Sequence, residues 1–171
     1  MKLRDILPEK RSAILEGWFE KTMETYPSES AGFLGKKNKQ FSNPIGYTIA
    51  QGLEGLFDAL AREEEFNPDS ITPVLDDIMR IRALQGLPPS QELAFLFHLK
   101  RIVRDRIEGS GVEDPEGLQT LDSRIDMLAL LSFDRYMQCR EKIYELKANE
   151  AKNMTYRLLQ RAKLVTEIKE K

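Results

Sequence analysis

From Leu118 to Lys171 the chain contains neither proline nor glycine, while apolar residues recur at helical spacing along much of that length. Nothing there stops a helix. The stretch predicts either one helix longer than ordinary globular domains use or a fray point without a breaker. Upstream, three breaks share one device, an Asx residue followed by proline: Asn43-Pro44, Asn67-Pro68 and Asp114-Pro115. Each puts a side-chain acceptor at a helix cap and a residue lacking N–H in the first turn. The expected fold is therefore a compact all-α domain.

The stripes between the breaks support this. Pro8 is read as opening the first helix, with Ile14, Leu15, Trp18, Phe19 and Met23 inward, and Pro27 as ending it. Residues 28–42 hold Gly32, Gly35, Lys36, Lys37 and Lys39, a loop without the GxxxxGK[ST] spacing of a phosphate site. After Asn43 come Ile45, Ile49, Leu53, Leu56, Phe57 and Leu60, with Gly46, Gly52 and Gly55 among them. Each glycine costs roughly 1 kcal/mol of helix propensity, so close helix packing or a pocket wall is expected to offset it. Asn67 or Thr72 caps the next helix, which carries Ile71, Val74, Leu75, Ile78 and Ile81. Ser90 is the expected cap of Ser90–Glu108, where Leu93, Phe95, Leu96, Phe97, Leu99, Ile102, Val103 and Ile107 cover most of the circumference. Such a helix is expected at the buried centre.

Leu118, Leu121, Ile125, Leu128 and Leu131 read as core-facing, and beyond Tyr136 the stripe thins to Cys139, Ile143 and Leu146. After a slip at Glu150, Ala151, Met154, Leu158, Val165 and Ile168 resume a roughly heptad order, with Arg161 at one seam position. This is a coiled-coil seam or an amphipathic helix lying on a partner. The division expected is a core domain over 1–135 and a helical extension over 136–171. Candidate interaction residues are Ile143, Leu146, Met154, Leu158, Val165 and Ile168.

A composition of 41% hydrophobic and 32% charged residues indicates neither a disordered nor a fibrous chain. The net charge of -2 gives no general pull toward nucleic acid. From Gln138 onward nine Lys and Arg face five Glu, a local +4, which leaves -6 on the rest. The basic tail is interrupted by Glu141, Glu145 and Glu150, so no nucleic-acid contact is expected. One cysteine, Cys139, permits no internal disulfide and suits a reducing, cytoplasmic setting. The residues after Met1 lack the apolar run of a signal peptide, so no leader is expected, and no apolar run is long enough to span a membrane.

Chemistry-bearing clusters are sparse. His98, the sole histidine, borders the apolar side of its helix and reads as a core histidine, with axial haem ligation as the alternative. It is the one weak cofactor-binding candidate. Zinc spacing is missing, and Asp76 and Asp77 diverge by about 100° on a helix, so they form no catalytic pair. Glu63, Glu64 and Glu65 read as a solvated helix end. No nucleophile elbow or Cys–His arrangement occurs. The expectation is a protein that is not an enzyme, with no metal and no cofactor.

Several segments carry a family likeness: Trp18-Phe19, Thr25-Tyr26-Pro27, Phe41-Ser42-Asn43-Pro44-Ile45-Gly46, Gly52-Leu53-Glu54-Gly55-Leu56, and the entry Leu87-Pro88-Pro89-Ser90. Over about residues 8–135 the chain resembles the N-terminal domain of RsbR/RsbRD-type co-antagonists, helical sensory domains of bacterial stress signalling. The resemblance implies a globin-like fold or a bundle of about five helices without haem, often dimeric. It also implies a last helix that passes a signal to an attached STAS or kinase domain. With the long helix expected as the last element, no room for either output is expected. The expected role is therefore a stand-alone sensory or adaptor module, a homodimer that docks on another signalling protein. The alternative is a small-molecule binder, haem included, with His98 near its pocket.

Overall fold

A computed structural model of the chain describes residues 1–26, 43–62 and 66–163. Five α-helices are found among them: α1 (Leu3–Met23), α2 (Pro44–Ala61), α3 (Pro68–Ala83), α4 (Pro89–Ile107) and α5 (Pro115–Arg161). They form a helical bundle in which α1 packs on α2 and α4, α2 on α3, and α3 and α4 both on α5. The loop read over 28–42 and the acidic run Glu63–Glu65 lie outside the described residues.

The Asx-proline starts are where the spacing puts them. Asn43 Oδ1 accepts from the Gly46 N–H at 2.9 Å, and Asn67, not Thr72, caps α3 by accepting from Asp69 N–H at 3.0 Å. Asp114 serves two helices at once. Its Oδ1 accepts from Gly117 N–H of α5 (3.2 Å) and its Oδ2 from Leu3 N–H of α1 (2.9 Å). That tertiary cap corrects the first helix: α1 begins at Leu3, with Pro8 inside it. Pro8 removes one ladder bond, and burial of Leu3, Ile6 and Leu7 offsets the loss.

Packing explains one glycine of α2, Gly52. A Cβ built on Gly52 would stand 2.6 Å from Ile78 Cδ1, so the two helices touch backbone to side chain there. Arg11 adds a two-pronged bond to Asp58 (2.8 and 2.9 Å) that ties α1 to α2.

Three further expectations are corrected. Ser90 is not a cap; α4 starts at Pro89 after Pro88, whose fixed φ suits a helix entry. Ile45 sits in the exposed first turn of α2, and Phe97 points outward from α4. Consequently α4 buries one broad face between α1 and α5 and is not enclosed. α5 packs on all four other helices.

Candidate interaction surface

At about 1.5 Å per residue, the 47 residues of α5 span roughly 70 Å. Leu121, Ile125, Leu128, Ser132 and Tyr136 are buried on the body, and Cys139 and Ile143 are partly packed against it. From Tyr144 to Arg161 every residue is exposed, an overhang of about 25 Å. Eighteen residues make five turns, so Leu146 lies below Leu128 and Met154 below Tyr136 on the same side of the helix. The overhang thus repeats the face that α5 buries higher up. There Leu146, Met154 and Leu158 are about 60% exposed. Of the residues singled out by spacing, Ile143 rests partly on its own body, these three face solvent, and Val165 and Ile168 lie outside the described residues.

A second set of exposed apolar residues was not singled out from the sequence. Lys100 pairs with Asp126 at 2.7 Å and Arg104 with Asp122, which sets α4 and α5 antiparallel. That register puts Phe97 level with residues 129 and 130 of α5, on the flank where Leu130 and Phe133 are exposed, with the Lys100 ammonium 5.9 Å from the Phe97 ring; Met127 is exposed further round α5. Leu130, at 71% exposure, stands furthest into solvent. Residues 127, 130 and 133 already lie at i, i+3 and i+6, so sequence spacing contained this second stripe.

Where α5 leaves the body it meets a buried polar corner. Arg82 and Glu92 are both fully buried, with Arg82 Nε 3.0 Å from Glu92 Oε2. The guanidinium donates to the Glu92 carbonyl (3.0 Å), the Gln91 carbonyl (3.3 Å) and Thr25 Oγ1 (2.8 Å). It lies between the rings of Tyr26 (5.1 Å) and Phe95 (5.3 Å). Glu92 Oε1 accepts from Leu87 N–H at 3.3 Å. Burial pushes the Glu92 carboxyl up, against the pull of Arg82. From α5, Tyr136 donates to the Leu87 carbonyl (3.3 Å) and Arg140 to the Ala83 carbonyl (3.2 Å).

His98 is half-buried with its Nδ1 buried and unbonded, and its pKa is lowered by burial and by Lys21. It lines none of three cavities found on the body and the overhang. One of them, about 350 Å³, lies between the start of α1, the end of α2 and the start of α5. Among the described residues no cluster of His, Cys, Asp or Glu could hold a metal ion, and no helix is long and apolar enough to cross a membrane. Cys139 is half-buried and its thiol is pushed up by burial, as for a small packing residue.

The family model for the RsbT co-antagonist protein rsbRD N-terminal domain matches residues 12–151. The chain belongs to that family. The RsbRD N-terminal match runs past Tyr136 into the overhang, and α5 continues through that point unbroken. Comparison with curated proteins and with solved structures returned no match. Membership in the RsbRD N-terminal family gives the chain a regulatory role in signal transduction. Two segments that carried the likeness now have structural reasons. Thr25-Tyr26 holds the buried Arg82, and Asn43-Pro44-Ile45-Gly46 is a helix cap.

Proposed function

We propose that this RsbRD-type domain is a sensory or adaptor module of the bacterial cytoplasm that acts by protein–protein contact and not by catalysis. In this reading it is a homodimer whose long helix docks on another signalling protein. The observation that carries the reading is the overhang of α5, whose Leu146, Met154 and Leu158 repeat a core-facing stripe with no described residue of the same chain over it. Exposed apolar stripes of this kind are normally covered by another molecule. The exposed Phe97, Leu130 and Phe133 on the α4–α5 side supply a second apolar surface on the body. The test is sedimentation of the full chain beside a chain lacking residues 147–171, with binding of co-purified partners measured for both. The shortened chain is expected to stay folded and to lose self-association or partner binding. A shortened chain that still dimerises and binds as before would overturn the role given to the overhang.

A second reading is small-molecule binding near His98, favoured by its buried, unbonded Nδ1 and by a lowered pKa that keeps the imidazole neutral. It predicts a Soret band on haem addition that moves in His98→Ala. Wild-type protein without a Soret band removes it.

A further inference from the structure

Four segments converge on the α3–α4 corner, and each is held by a polar contact to the next. Thr25, at the end of α1, donates its hydroxyl proton to the Thr22 carbonyl (2.6 Å) and accepts from Arg82. Arg82 is paired with Glu92, and Glu92 takes the Leu87 N–H. The other side of the Leu87 residue, its carbonyl, takes the Tyr136 hydroxyl of α5. One turn further along α5, Arg140 reaches the Ala83 carbonyl next to Arg82 and also contacts Tyr144, its guanidinium 4.8 Å from that ring. The chain of contacts ends where the overhang begins.

We propose that this corner is a transmission joint, through which the end of α1 sets how firmly α5 is held between residues 137 and 146. The inference rests on the reading that the overhang of α5 carries the output. A buried guanidinium has no water to fall back on, so loss of any one acceptor must be met by movement of the groups around it. Leu87 sits on a short connection with no helical ladder of its own, so it follows Glu92 on one side and Tyr136 on the other. The positioning residues are Thr25, Arg82 and Glu92; none of them lies on α5.

The test is hydrogen–deuterium exchange on the full chain at two protein concentrations, without any partner. Thr25→Val keeps the shape of the side chain and removes the acceptor of Arg82. Amides of residues 137–146 are expected to exchange roughly tenfold faster, as for loss of one hydrogen bond to a charged group. Thr25→Ser, which restores the hydroxyl, returns them to the wild-type rate, and amides of α2 do not change in either variant. The reciprocal variant Tyr136→Phe is expected to speed exchange at residues 24–26 by a similar factor, since coupling between two sites acts both ways. Acceleration confined to α1 and the corner, or spread equally over all five helices, overturns the joint. Because no partner is present, a failed joint leaves the docking role standing, and a monomeric chain that passes this test refutes only the dimer.

Discussion

Gly52 shows how much one missing methyl group decides. A Cβ there would meet Ile78 Cγ1 at 2.8 Å and Cδ1 at 2.6 Å, and Ile78 is itself wholly buried. Overpacking of a core costs about 1–3 kcal/mol, against a propensity gain of about 1 kcal/mol for alanine in a helix. Gly52→Ala is therefore expected to lower unfolding free energy by about 1 kcal/mol in urea titrations. At Gly55 the nearest atoms, the Val74 methyl carbons, lie 3.5 and 3.6 Å away, an ordinary contact. Gly55→Ala is expected to raise stability by roughly 0.5–1 kcal/mol in the same assay. Opposite signs at two glycines one turn apart separate packing from propensity. The burial of Arg82 and Glu92 was also open to sequence reading. Arg82 continues the spacing of Ile71, Leu75 and Ile78, and Glu92 precedes Leu96, Leu99 and Val103 on one face. Two opposite charges at apolar positions announce a buried pair, but stripe reading attends to apolar residues alone.

At the scale of helices, the starts were legible where an adjacent Asx side chain makes the cap, as at Asn43, Asn67 and Asp114, but not at α4, whose cap position Pro88 has no side-chain acceptor. The start of α1 was not, because its cap is a carboxylate 111 positions away in sequence. Nor was the outward turn of Phe97, since α4 is enclosed on one side only and periodicity does not count its neighbours. The shared cap makes a prediction about acid. Backbone N–H bonds from Leu3 first, then Gly117, with help from Lys2, hold the Asp114 pKa below its ordinary value. A carboxylate depressed in the fold adds stability that is present above roughly pH 4 and lost as pH falls through the lower folded value. Asp114→Asn keeps one carbonyl oxygen and so caps one helix. It is expected to be less stable than wild type at neutral pH and to lose less on acidification, as followed by circular dichroism against urea at several pH values. A wild-type acid transition unchanged by the substitution would remove the cap from that role.

For the whole molecule, the body and the overhang are expected to be energetically separate. Among the described residues, none beyond Ile143 belongs to the buried core. Removing residues 147–171 is expected to leave the dilute thermal midpoint within about 2 °C, a change below about 0.5 kcal/mol. The same cut should abolish any rise of that midpoint with protein concentration. A large fall at high dilution would show that the overhang folds back on its own subunit. The outer face of α4 and α5 can be separated from this by Leu130→Ser, which is expected to weaken self-association without lowering dilute stability by more than about 0.5 kcal/mol. The molecule also carries an optical gauge for its own interior. Its sole indole, Trp18, is fully buried, donates to the Phe95 carbonyl at 2.7 Å, and stacks on the ring that also lies under Arg82. Emission from the native protein therefore reports on that arginine's surroundings and is blind to whatever lands on the far end of the long rod, so the two kinds of event can be told apart without attaching a dye.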